Sequence, residues 1–399
     1  MSRRLLIALL LSLPLAASGQ YLPLWHSAQG ARLDFNYDRL WSYNLYEQSR
    51  WGAGLRYTLP PCKADGTRVW MDGYVGYGVL DRQWKGGIGA TVRHGHSRYG
   101  LVQHVRASRD YEAAGSRNLA TATLANPMSL AGFMSRRMSD RVSVTWGYLW
   151  RVHGRVHRLE GSMGIGGRLF DNEPLLYRAV GDSIAKEDCF MLRWLMQLPQ
   201  GISTQIEVGS MMPQHRHLAR LLAQYDHTFL FTHTCLQTFA QTGVTAPHTP
   251  YTYMFDLGGT WGAPLNFHNS LLTARPNEFT ANTFLFLSLR YALREPLVEG
   301  WNRTLQIGTA PRPFVGLNGA WGHLYGQNPD GYLQHEGLDL QAPLWGIVEP
   351  QAGIEGVLRW GIADWGVAVA YRLVPTSAPY RLASTRENLA LLITATLIL

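Results

Sequence analysis

From residue 31 onward the chain alternates apolar and polar positions with a period of two. Ala31, Leu33, Phe35 and Tyr37 interleave with Arg32, Asp34, Asn36 and Asp38. A strand sends successive side chains to opposite faces, so this segment has one oily and one polar face. Trp51, Ala53, Leu55, Tyr57 and Leu59 do the same against Gly52, Gly54, Arg56 and Thr58. The pattern returns with Trp84, Ile88 and Val92 against Lys85, Thr91 and Arg93, and with Val142, Val144, Trp146, Tyr148 and Trp150 against Ser143, Thr145 and Gly147. Residues 389–399 end the sequence on the same rhythm.

Candidate strands lie at 30–40, 51–60, 67–79, 83–94, 98–109, 140–152, 158–169, 188–198, 201–211, 226–239, 250–259, 279–293, 302–309, 312–325, 350–360, 363–374 and 387–399. Segments rich in Pro, Gly, Asn and His at 110–130, 171–187, 212–224, 240–249, 262–278 and 326–349 read as long loops, with a short helix over Gln214–Gln224. A soluble sandwich would also alternate. Three features favour a membrane instead. Trp or Tyr tends to cap each apolar face, as in interfacial girdles. The segments exceed the usual length of soluble strands, about five or six residues. A final strand running to the last residue suits ring closure, which removes the edges a membrane would not tolerate. The fold expected is all-β: one closed antiparallel transmembrane β-barrel, an even number of strands in the range of about 12–16, and long extracellular loops.

Composition agrees. The 399 residues are 46% hydrophobic but only 16% charged, which sets aside a disordered or heavily solvated chain. Mean hydropathy is −0.12, too low for a bundle of membrane helices. The start, Met1-Ser2-Arg3-Arg4 followed by an apolar run to Ala17 and then Ser18-Gly19, reads as a secretory signal cut after Gly19. Residues 1–19 are then the signal peptide and 20–399 the barrel domain, addressed to the cell outer membrane.

The net charge of +8 is carried almost wholly by arginine, since lysine occurs only at 63, 85 and 186. Arginine forks grip phosphate and carboxylate, which suits lipopolysaccharide, anionic lipid heads or anionic solutes. No basic reading motif points to nucleic acid. Cys62, Cys189 and Cys235 lack metal spacing and read as packing residues with room for one disulfide.

Several short segments resemble an outer-membrane barrel family of Bacteroidota. Gly76-Tyr77-Gly78-Val79-Leu80-Asp81-Arg82-Gln83-Trp84-Lys85-Gly86-Gly87 is similar to its glycine-rich strand pair, and Asp110-Tyr111 with Gly115 to the loop that follows. Asn277-Glu278-Phe279 with Phe284–Leu289, Gln351–Val357 and Asn388–Leu391 resemble later strands in the same order. The family has no assigned function, and its longer members begin with a carboxypeptidase-regulatory-like domain that has no counterpart in this reading. The resemblance implies location and architecture and supplies no catalytic residue.

Candidate chemistry is sparse. Gly181-Asp182-Ser183-Ile184 looks like an esterase nucleophile block, but no Asp-x-x-His partner exists in the chain. His94/His96 and His215/His217, the latter with Asp226 or His227, would each need a further metal ligand; His153/His157 stand about 13 Å apart along a strand, too far for one ion. His96 and Ser97 point to opposite faces. No metal or cofactor is expected. The polar face remains, with Arg32, Asp34, Asn36, Arg56, Asp72, Lys85 and Arg93 as candidates to line a lumen, open or plugged. The function expected is a non-enzymatic outer-membrane barrel for passage of a small solute or envelope upkeep. The alternatives are a scaffolding or binding subunit of an assembly or secretion complex and, least favoured, a barrel esterase using Ser183. The partners expected are outer-membrane lipid and lipopolysaccharide, with room for a protein partner in an envelope complex.

Overall fold

The fold was taken from a computed structural model. It describes residues 21–44, 47–61, 66–95, 100–113, 137–171, 187–212, 216–247, 249, 254–257, 271–273, 280–297, 300–302, 307–323, 344–360, 363–373 and 388–397. Antiparallel pairing runs strand to neighbouring strand through the whole sequence. From Tyr21–His26 and Arg32–Asn36 it passes through Gln48–Thr58, Arg68–Gly78, Trp84–Arg93 and Val102–Ala113. It continues through Arg137–Val152, Arg155–Asp171, Glu187–Gln197, Ile202–Met212, Arg216–Leu230 and Thr234–Thr245. Thr283–Leu293, Arg312–His323, Leu344–Trp360, Ala363–Tyr371 and Leu389–Leu397 complete it. Among the described residues no bond joins the first strand to the last. No α-helix is present among them.

Twenty strand segments make up this sheet, more than the 12–16 that the sequence suggests. Part of the excess comes from interruptions. Arg32–Asn36 and Trp41–Asn44 flank a 3-10 turn at Tyr37–Arg39 and pair with successive halves of Gln48–Thr58. Gly300–Asn302 and Ile307–Thr309 prolong the hairpin formed by Thr283–Leu293 and Arg312–His323. The remainder was misread. Residues 212–224, expected as a loop with a helix at Gln214–Gln224, belong largely to the strand Arg216–Leu230. Leu218, Leu221 and Leu222 carry helical spacing, yet Leu218 and Leu222 are buried while Leu221 is exposed, as pleating requires. The span 226–239, expected as one strand, holds a hairpin turn at 231–233 with neither Gly nor Pro, and 240–245, expected as loop, continues its second arm. Tyr21–His26 was not anticipated.

The alternation is physical. On Thr283–Leu293, Leu285, Leu287, Leu289 and Tyr291 are exposed while Phe284, Phe286, Ser288, Arg290 and Ala292 are buried. The same split recurs around the sheet: Leu55, Met71, Val75, Ile88, Val144, Ile206 and Val367 stand exposed, and Asp34, Arg50, Lys85, Glu160, Glu207 and Glu349 are buried. A single-layer sheet buries one face only by curling around it, so the polar side is the inside. Exposed apolar side chains in a continuous band far exceed what a water-soluble surface carries. Outward aromatics gather near both ends of the strands. Trp41, Trp51, Tyr77 and Trp84 are successive cross-strand partners toward one end. Toward the other, Trp150, His157 and Trp194 stack face to face.

The two ends of the sheet differ. At one, connections are short, among them the two-residue turn His153-Gly154, both with positive φ (50° and 75°). Such a turn matches strand twist, and glycine takes that φ without strain. At the other end, residues 114–136, 172–186, 246–279, 324–343 and 374–387 separate strands. The candidate loops 110–130, 171–187, 262–278 and 326–349 belong to this end, mostly outside the described residues.

Candidate functional site

Among the described residues charged groups converge on the buried face, which has three regions. The first lies on the strands from Gln48–Thr58 to Val102–Ala113. Glu47, fully buried, receives hydrogen bonds from Arg50 (Nε to Oε1, 2.9 Å; Nη2 to Oε2, 2.6 Å) and an ion pair from Lys85 at 3.0 Å. Lys85 also holds Asp81, and Arg50 Nη1 reaches Asp110 at 2.6 Å. Tyr74 donates its hydroxyl to the same Asp110 at 2.6 Å. Such pairing lets buried charge persist. Glycine makes the room: a Cβ on Gly76 would sit 2.9 Å from Arg50 Cδ, and one on Gly78 would sit 2.1 Å from Asp81 Oδ1. The glycine-rich segment 76–87 that carries the family resemblance thus builds this cluster.

The second region centres on Glu160 and Glu207. Arg193 bridges them, with Nη1 3.1 Å from Glu160 and Nε bonded to Glu207. Arg158 holds Glu160, Arg220 holds Glu207 at 2.5 Å, and His104 lies 3.5 Å from Glu160.

In the third region the inside is filled by the chain itself. Met254–Leu257 and Leu271–Thr273 lie in the long connection before Thr283–Leu293, and all of Met254, Phe255, Leu257, Leu271 and Leu272 are buried. Phe255 meets inward Phe284 edge-on at 4.8 Å, with the Arg220 guanidinium 4.6 Å over its ring. Beneath it is Gly243, where a Cβ would come within 2.7 Å of Phe255 and 2.6 Å of Phe284. Leu222, Phe239, Ala320 and Ile347 complete the apolar cluster. Polar pins secure the other piece. Glu349 accepts from Leu272 N at 2.9 Å, Thr273 N at 2.7 Å, Thr273 Oγ1 at 2.5 Å and Asn318 Nδ2 at 2.9 Å. Arg372 donates to the Thr273 carbonyl at 2.9 Å. A buried carboxylate with four donors is satisfied, so the insertion is anchored.

The seven expected lumen residues share the inward register of the first wall. Asp34 and Lys85 are buried; Asn36, Arg56 and Asp72 are partly buried; Arg32 and Arg93 are exposed near the short-turn end. Arg32 bonds Asp34, and Arg56 is the cross-strand partner of both Asp34 and Asp72. Glu160 and Glu207 were legible as polar positions between apolar ones but were not singled out, and Glu349 fell in a span assigned to a loop. Among the described residues no group of His, Cys, Asp and Glu could hold a metal. His217 is exposed on the outward register beside Ala219 and Leu221, whereas Asp226 lies on the inward one. Cys189 is buried and Cys235 partly buried. Cys62, His96, Ser97, His215 and Ser183 lie outside the described residues.

No protein-family model and no curated protein matches the chain. Solved structures similar to it include CdiB from Escherichia coli (11% identity, TM-score 0.42, covering 88% of this chain). BamA from Haemophilus ducreyi lacking POTRA domains 1-3 gives 10% identity and a TM-score of 0.47 over 92% of this chain and 70% of that one. A bacterial polysaccharide outer membrane secretin gives 6% and 0.34 over 87% and 89%. The chain spans 61% of the length of the CdiB chain.

Proposed function

We propose that the chain is a non-enzymatic outer-membrane β-barrel, closed between its first and last strands. In this reading its lumen is stoppered by its own Met254–Leu257 and Leu271–Thr273, and it serves as a binding or scaffolding subunit of an envelope complex. The observation that carries this reading is the anchoring of Leu272 and Thr273 on Glu349 and Arg372, with Phe255 seated over Gly243. A segment held by buried hydrogen bonds and a ten-residue apolar cluster does not yield to a passing solute. The exposed apolar band, the aromatic ends and the contrast of short turns with long connections support placement in a bilayer, with the long connections outside. The basic start supports export by a signal peptide cleaved after Gly19. Lipopolysaccharide and lipid would contact the outward face, and a protein partner the long loops. The resemblance to the Bacteroidota barrel family agrees with this assignment.

Detergent-purified mature protein in planar bilayers tests it. Silence, together with a stoichiometric partner surviving mild detergent, is expected; discrete conductance steps from the unaltered protein would overturn the stoppered reading. Passage of a small solute is the second reading, supported by the polar, charge-bearing wall opposite the apolar cluster. It requires the segment to leave, so conductance would appear only when the Glu349 and Arg372 pins are removed.

A further inference from the structure

Guanidinium groups on the buried face fall into two kinds. Arg50, Arg193, Arg220 and Arg290 each hold a carboxylate. Arg39, Arg56 and Arg106 hold none among the described residues and lie against aromatic faces instead. Arg39 sits 3.8 Å from the centre of the Tyr74 ring and Arg106 5.2 Å from the same ring. Arg56 sits 3.8 Å from Tyr21 and 5.7 Å from Trp70. Stacking covers the flat side of a guanidinium and leaves its N–H edge free to grip an oxyanion. Arg56 Nε is buried with no hydrogen-bond partner.

Arg39 and Arg106 share the Tyr74 ring, and Arg56 lies on the same row as Arg106. Cross-strand register runs Asp34, Arg56, Asp72, Gly89, Arg106 along one row of the inward face. Gly89 adds no side chain to that row. Arg39 joins by lying across Gly54, where a Cβ would be 3.0 Å from its Cγ. Toward the short-turn end, Arg68 and Arg93 are direct cross-strand partners, and like charges so placed repel. Asp34 is engaged by Arg32 and Asp110 by Arg50 and Tyr74, so Asp34, Asp72 and Asp110 are the carboxylates set against the guanidiniums of this wall.

We infer that this wall is a binding site for a small soluble oxyanion of the phosphate or carboxylate type. The N–H edges of Arg39, Arg56 and Arg106 grip the anion, and Arg68 and Arg93 draw it in from the short-turn end. The site occupies six adjacent strands and depends neither on closure of the sheet nor on release of the stopper.

Isothermal titration of the mature protein in nonionic detergent tests the site, with inorganic phosphate measured against chloride at matched ionic strength. Saturable phosphate binding is expected. Arg56→Gln and Arg106→Gln should each weaken it at least tenfold, while Arg109→Gln, an outward position on the same strand, should leave it unchanged. Heat-modifiable migration on gels verifies folding. Where Arg106→Gln loses it, Arg106→Lys, which keeps the charge but not the fork, should still weaken binding severalfold. Heats no larger than those of chloride overturn the site. So does affinity that survives both glutamine variants, or competition by added lipopolysaccharide, whose phosphates stay on the outward side. Conductance reports on the stopper separately: a conducting protein that binds phosphate overturns the stopper alone.

Discussion

The two sides of the interior solve the same problem with opposite chemistry. On the side of Gln48–Thr58 to Val102–Ala113, space is filled by long charged side chains that neutralise one another: Glu47, Arg50, Lys85, Asp81 and Asp110. On the side of Thr234–Thr245 to Leu344–Trp360, inward positions turn apolar, at Phe239, Phe284, Phe286, Ala320 and Ile347, and they receive a segment from outside the sheet. Charge pairs can fill an interior without sealing it, because their remaining donors and acceptors welcome water. An apolar cluster excludes water and so seals. The difference is why one wall is proposed as a binding surface and the other as a stopper.

The largest effect should come from splitting the charged side. Lys85→Met removes one of the cations that hold Glu47, which is fully buried. Loss of a buried ion-pair partner costs about 3–5 kcal/mol, read as a lowered denaturation midpoint in detergent. Phe255→Ala on the sealed side should cost about 3 kcal/mol from lost burial and the void left behind. Unlike Lys85→Met, it should also produce conductance in planar bilayers. A variant that stays silent would show that Phe255 seals nothing.

Gly243→Ala is subtler. The added methyl would press on Phe255 and Phe284, and overpacking of this kind costs about 1–3 kcal/mol. Its signature is intermittent conductance, against none for Gly89→Ala on the charged wall, where the nearest backbone atom would be 3.2 Å away. The smallest effect belongs to Arg32→Gln. Its side chain is about half exposed beside Asp34, and surface pairs contribute under about 1 kcal/mol. A midpoint shift comparable to that of Lys85→Met would mean that the Arg32–Asp34 pair is part of the charged interior and not its rim.

The charged side was legible in the sequence and the sealed side was not, for a physical reason. Arg32, Asp34, Arg56, Asp72 and Lys85 sit on regularly alternating strands, so a period of two assigns each to a face. Phe284 and Phe286 lie in the first half of Thr283–Leu293, where residues 284–287 are apolar on both faces. Leu285 and Phe286 look equivalent in sequence, yet one is exposed and the other fully buried. Period alone cannot say which oily face turns inward when an inserted segment makes the inside dry. Glu349 was misplaced because the Pro, Gly, Asn and His residues of 326–349 suggest a loop, although Glu349 pairs with Asn318 within the sheet. The helical leucine spacing of Arg216–Leu230 misled in the same way, since local propensity yields to strand pairing on both sides.

The hairpin closed by His153 and Gly154 has arms of 16 and 17 residues. At about 3.3 Å per residue each arm is roughly 50 Å long. Inclined by about 40°, it still climbs about 40 Å, against a hydrocarbon band of about 25 Å. In the proposed bilayer placement about 15 Å of hydrogen-bonded ribbon rises beyond that band, on the side away from the turn. So placed, the protein would carry a stiff parapet there, tall enough to hold a docked partner clear of the headgroups.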